Sequence, residues 1–129
     1  MKLKSKLIIA TMLLGNGISA HADTLASVLY GGTNRTLAAC YIFNSGPGTV
    51  SILSKELISQ AGTKIPLDVT SDCGSTIAAG STCNISANIS GVSGATICRF
   101  VISPSAANLR GGFDIRDSSN TVLNSSVLQ

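Results

Sequence analysis

Cys83-Asn84-Ile85-Ser86-Ala87-Asn88-Ile89-Ser90 alternates apolar and polar residues without a break. A strand turns successive side chains to opposite faces, so Cys83, Ile85, Ala87 and Ile89 share one side and Asn84, Ser86, Asn88 and Ser90 the other. A helix would scatter the same residues around its circumference. The stretch therefore reads as a half-buried β-strand with one wet face.

The same texture extends outward. β-branched runs recur between turn clusters such as Gly31-Gly32, Ser45-Gly46-Pro47-Gly48, Gly91 to Gly94 and Asp117 to Asn120. Further strands are expected over Leu25 to Tyr30, Leu37 to Asn44, Thr49 to Leu53, Ile65 to Thr70, Thr96 to Ser103, Leu109 to Asp117 and Thr121 to Val127. Only Ser51 to Gln60 competes as a helix, because Ile52, Leu53 and Leu57 share a helical face and Gly62 could end it; the neighbouring strands favour the extended reading. The spacing of runs and turns points to an all-β, single antiparallel sandwich of about seven to eight strands.

The 129 residues carry a net charge of +3, and Lys2, Lys4 and Lys6 supply all of it. From residue 23 on, Arg35, Lys55, Lys64, Arg99, Arg110 and Arg116 are matched in number by Asp23, Glu56, Asp68, Asp72, Asp114 and Asp117. The three lysines, the apolar run Leu7 to Leu14 and the small-x-small site Ala20-His21-Ala22 before Asp23 have the three parts of a secretory signal. An uncleaved anchor is the competing reading, but Gly15, Asn16 and Gly17 break the apolar run well short of the roughly 20 residues needed to span a bilayer. The expected organisation is a signal peptide over 1–22, cleaved between Ala22 and Asp23, and one domain over 23–129, exported to the periplasm or beyond the cell and lacking a transmembrane segment.

Cleavage would also remove His21, the single histidine. Without imidazole, Ser-His-Asp and Cys-His catalysis and histidine-based metal sites are excluded together. Neither a cofactor nor a metal is expected. The neutral balance after residue 23 provides no phosphate-binding field, so nucleic acid is not expected as a partner.

Cys40, Cys73, Cys83 and Cys98 are even in number and contain no C-x-x-C pair, which in a short exported chain reads as two disulfides. Three connectivities are possible. Cys73 with Cys83 and Cys40 with Cys98 is favoured, since the first closes a short loop containing Gly74 and Gly80 and the second would staple distant strands.

The segment Ser71 to Ser90 resembles the C-G-x-x-L-x-P-G-x-x-C-x-I-x-V hairpin of bacterial extracytoplasmic Ig-like domains, including the abnormal-spindle/Hydin type. Cys73, Gly74, Ile77, Gly80, Cys83 and Ile85 match it, and Ala79 stands where proline is usual. With Cys40-x-x-x-Asn44, Thr96-x-Cys98-Arg99 and Leu109-Arg110-Gly111, most of the expected domain resembles a group of small exported bacterial Ig-like β-sandwich proteins of unassigned function. The resemblance implies an Ig-like fold and no activity. The antibody pattern is not met, since tryptophan is absent and Thr96, not tyrosine, lies two residues before Cys98.

If Cys40 points into the core, Tyr41 and Phe43 point away from it and form a possible interaction patch, unless the N-terminal strand or C-terminal tail covers them. Arg99 should face solvent beside a carboxylate. Asp114 and Asp117 have opposite strand parity, and neither they nor Asp68 and Asp72 have the spacing of a calcium loop. Neither a G-x-S-x-G elbow nor an S-x-x-K pair with Lys55 or Lys64 occurs. The expected function is non-catalytic surface interaction with a protein or glycan. Two alternatives stand beside it: a subunit of a surface or pilus-like assembly pairing through Val122 to Leu128, and a hydrolase built on a Ser-Lys or paired-carboxylate site.

Overall fold

A computed structural model describes residues 21–129. The strands are β1 (Asp23–Leu29), β2 (Arg35–Asn44), β3 (Val50–Ser59), β4 (Lys64–Ile65), β5 (Thr76–Ile77), β6 (Thr82–Asn88), β7 (Thr96–Ser103), β8 (Leu109–Asp117) and β9 (Val122–Val127). They form two antiparallel sheets. One has the order β1-β7-β3-β4 with β5 also on β3, and the other has the order β6-β2-β8-β9.

The core lies between the sheets, as the alternation requires. Phe100 and Ile102 of β7 meet Ile42 of β2, Ile85 of β6 and Phe113 and Ile115 of β8, all of them buried. Cys40 of β2 bonds Cys98 of β7 across the layers, with Cα atoms 6.4 Å apart. Cys73 bonds Cys83 at the start of β6, at 4.9 Å. The favoured pairing of the four cysteines is the one present.

The expectations need correcting in four places. First, nine strands form among the described residues where seven to eight were expected, because β4 and β5 are two-residue ladders on β3. Second, Ile65 to Thr70 is not a strand. Pro66 offers no amide to the ladder, and the chain leaves β3 there to lie along β6, where the Asp68 amide donates to Ser86 O (2.7 Å) and the Cys73 amide to Asn84 O (3.2 Å). Third, the strand expected over Thr49 to Leu53 runs on through Ser59, so that Ser51 to Ser59 takes the favoured extended reading and not the helical alternative. Fourth, Thr76–Ile77 pairs with Val50 and Ser51 inside the loop expected between Cys73 and Cys83.

The sandwich is closed differently on its two sides. On one, the segment from Pro66 to Ser75 bridges β6 and β3, ending where the Ile52 amide donates to Ser75 O (2.8 Å). On the other, Ala26 of β1 exchanges backbone hydrogen bonds with Gln129 (2.9 and 3.3 Å), and the Ser27 and Ser126 hydroxyls meet. No helix among the described residues is long and apolar enough to cross a membrane. The expected signal features, Lys2 to Leu14, lie outside the described residues. Asp23, the residue after the expected cleavage point, opens β1, and its carboxylate accepts from the Ala106 amide (2.8 Å).

Candidate functional site: the outer face of the β6-β2-β8-β9 sheet

Register decides what this face presents. Tyr41 of β2 stands opposite Asn84 of β6 on one side and Gly112 of β8 on the other, and Gly112 stands opposite Val127 of β9. Because Cys40 and Ile42 are buried toward the core, Tyr41 and Phe43 project outward and remain partly exposed, 36% and 39% respectively. Neither alternative cover applies: β1 belongs to the other sheet, and β9 lies beyond β8.

Tyr41 is held in place. Arg116 Nη2 donates to the Tyr41 hydroxyl (2.8 Å) and to Asp114 Oδ2 (2.7 Å), while Nη1 donates to Asn120 Oδ1 (3.1 Å). The guanidinium carbon sits 6.0 Å from the Tyr41 ring centroid. Arg116 Nε is buried without a partner among the described residues. Burial pushes the Tyr41 phenol up, with the Arg116 charge opposing and Asp114 reinforcing the shift. The hydrogen bond to Asp114 holds Arg116 even more firmly in its charged form. An aromatic ring fixed in this way loses little conformational entropy when something docks on it.

Beside Tyr41 the sheet has a gap. A shallow groove of about 240 Å³ is lined by Tyr41, Phe43, Thr82, Arg110, Gly111 and Gly112. The two glycines differ in kind. A Cβ on inward-facing Gly111 would come within 2.6 Å of Leu128 Cδ1 and 2.9 Å of Tyr41 O, whereas one on Gly112 would meet only Ser126 O, at 3.8 Å. Packing explains the first glycine and not the second.

A cavity of about 430 Å³ lies at the outer edge of β3 and gathers Ser54, Lys55, Glu56, Lys64 and Ser75. These are groups a Ser-Lys or carboxylate site would use, but each charged one has another partner. Lys55 Nζ donates to the Cys73 and Gly74 carbonyls. Glu56 is ion-paired to both Lys64 and Arg99, and these pairs, Lys64 first, hold its carboxyl below the usual carboxylate range. No Ser-Lys hydrogen bond forms among the described residues. Arg99 therefore sits as expected, on the outer face beside a carboxylate.

The remaining acidic residues do not converge. Asp114 belongs to Arg116, Asp117 caps the β8–β9 turn through the Ser119 and Thr121 amides (both 2.9 Å), and Asp72 accepts from the Asn84 amide (2.7 Å). Asp72 lies near Cys73 and Cys83, but a disulfide leaves no thiolate to bind a metal. Sequence parity alone found Tyr41 and Phe43. It did not find Arg110, Gly112 and Arg116, which join them only through the β2·β8 register.

Fold and face together define a disulfide-stapled antiparallel β-sandwich that presents an ordered aromatic surface. Comparison with protein-family models, curated proteins and solved structures finds no match for this chain.

Proposed function

We propose that this chain is a non-catalytic exported module, Ig-like in its sandwich, that recognises a protein or glycan through the outer face of the β6-β2-β8-β9 sheet. The observation that carries the reading is the pairing of an anchored aromatic with a vacancy. Tyr41 is pinned by Arg116 and Asp114, and beside it Gly112 leaves a space that packing does not require. Glycine in a strand often marks the close approach of another molecule. The aromatic groove offers stacking for a sugar ring or contact for an apolar side chain, and Arg110 at its rim provides a hydrogen-bond donor. The two disulfides fit an oxidising compartment, which supports export to the periplasm or beyond the cell.

Affinity capture from the envelope and culture medium of the producing organism tests the reading, with wild type, Tyr41→Ala and Gly112→Leu as parallel baits. A partner retained by wild type and lost by both variants is expected. Capture of the same partner by all three, with each variant folded as judged by circular dichroism, rejects this face.

A further inference from the structure

The edges of the two sheets are not equally protected. The segment from Asp68 to Cys73 lies on β6, β4 and β5 lie on β3, and Gln129 pairs with the middle of β1. β9 has β8 on one side and, over Val122–Val127, no backbone ladder on the other among the described residues; the β1 side reaches it there through side chains, the Ser27–Ser126 hydroxyl contact and the Asn124 Nδ2 donation to Tyr30 O (3.1 Å).

The ladder fixes which groups point outward. The Leu128 amide donates to Gly111 O (3.1 Å), so Leu128, Ser126 and Asn124 turn their backbone toward β8, and Val127 and Ser125 turn theirs away. Among the described residues the Ser125 amide is met only by the neighbouring Asn124 Oδ1 (2.9 Å). Val122, Leu123 and Val127 are exposed at 49%, 39% and 62%. Natural edge strands are usually guarded by charge, proline, bulges or brevity, and of these β9 has a register slip between Val122 and Asn124. Residues 118–129 contain no charged residue and no proline.

We propose that a second copy of this chain occupies that edge, with the two β9 strands paired antiparallel about a two-fold axis so that the β6-β2-β8-β9 sheets join into one. A two-fold axis normal to the sheet keeps each face continuous, so paired residue numbers must have the same parity. Centring the axis on Ser125 satisfies this condition. Ser125 then exchanges backbone hydrogen bonds with Ser125 of the other copy, and Val127 of each comes near Leu123 of the other, the residue at the register slip of β9. The exposed apolar side chains cover one another, and the partner's carbonyl replaces Asn124 on the Ser125 amide. Absence of charge favours self-pairing in particular, because no like charges are brought together at any register. The recognition face, with its Tyr41-Gly112-Val127 row, would continue across the joint.

Sedimentation equilibrium of the purified protein tests this. An interface limited to one strand pair is small, so the average mass should rise from monomer toward dimer between about 10 and about 500 µM. Ser125→Pro removes an amide that the β8·β9 ladder does not use, and Val127→Lys sets a charge at each end of the joint. Each should remain monomeric over the whole range with an unchanged circular-dichroism spectrum, and if one misfolds the other still decides. A wild-type protein that stays monomeric at the highest concentration overturns the proposal, as does association of the folded variants at wild-type strength.

Discussion

Adjacent glycines on β8 permit a matched experiment. A methyl group on Gly111 is driven into Leu128 Cδ1 at 2.6 Å, Tyr41 O at 2.9 Å and Ile42 Cγ2 at 3.1 Å. Leu128 can rotate away, but it is buried to 7% exposure and anchors the end of the chain to the core. The Tyr41 carbonyl belongs to β2 in the middle of the sheet and has little room to move. Overpacking of this kind costs about 1–3 kcal/mol, and the lower chain entropy of alanine in the unfolded state returns about 0.5–1 kcal/mol. Gly111→Ala should therefore lose about 1–2 kcal/mol, which at a urea slope near 1.5 kcal/mol/M lowers the midpoint by about 1 M. Gly112→Ala meets only Ser126 O at 3.8 Å, so its midpoint should stay level or rise by up to about 0.5 M, the unfolded-state gain alone. Urea unfolding with the disulfides intact, followed by circular dichroism, measures both. Equal midpoints, or greater damage at Gly112, would refute the assignment of inward and outward faces on β8 and with it the vacancy beside Tyr41.

Glu56 gives a pH test. Its folded carboxyl is held below the usual range by Lys64 and then Arg99, so the stabilisation is complete above the ordinary glutamate value of about 4.3 and is lost as the pH falls through the lower folded value. Wild type should lose more of its urea midpoint between pH 6 and pH 3 than Glu56→Gln does, and parallel curves would count against the ion pairs. The disulfides should rank by the loop they close. Removing Cys40–Cys98, with its sequence separation of 58, should cost more than removing Cys73–Cys83, with its separation of 10, about 4 against about 3 kcal/mol on the chain-entropy account. The reverse order in paired Cys→Ala variants would show that packing, not loop closure, dominates.

Where strands alternate cleanly, the sequence was enough. β7 and β8 have the bounds expected for Thr96 to Ser103 and Leu109 to Asp117: β8 repeats the period of two, β7 is a β-branched and aromatic run, and the turn residues Ser103-Pro104 and Asp117 end them. β3 was ambiguous for a local reason. The register slips between Ile52 and Ser54, so Ile52, opposite Ile102, and Leu57, opposite Cys98, both face the core although their numbers differ in parity. An extra residue in one strand breaks alternation and leaves apolar spacings that also suit a helix. Leu53, at that slip, is 60% exposed. The aromatic face was half legible. Parity within β2 sends Tyr41 and Phe43 outward, but Gly112 and Arg116 reach them by a pairing between residues some 70 positions apart, as in the Arg116–Tyr41 separation of 75, and no local pattern encodes that register.

Pro66 links these features. Had the chain continued along β3 after Ile65, the strand expected over Ile65 to Thr70 would have covered the edge where the cavity lined by Ser54 to Glu56 and Lys64 now lies, and β6 would have been left bare. By turning the chain away, Pro66 sends Asp68 to Cys73 along β6 and brings the Cys73 and Gly74 carbonyls within reach of Lys55. Lys55 starts on the core side, opposite Phe100, so its stem lies along apolar surface while its ammonium reaches the rim. With Cys73 tied to Cys83, that side of the sandwich is fastened by a disulfide, a lysine and several backbone bonds at once. The opposite side has the Ala26–Gln129 pair, the Ser27–Ser126 contact and the Asn124 side chain donating to Tyr30 O, with no disulfide among them, and there β9 borders the aromatic face with the outward backbone of Ser125 and Val127 unpaired among the described residues. A chain whose stability is concentrated on one side leaves the other free for association, and the least fastened edge adjoins the face that carries Tyr41 and Phe43.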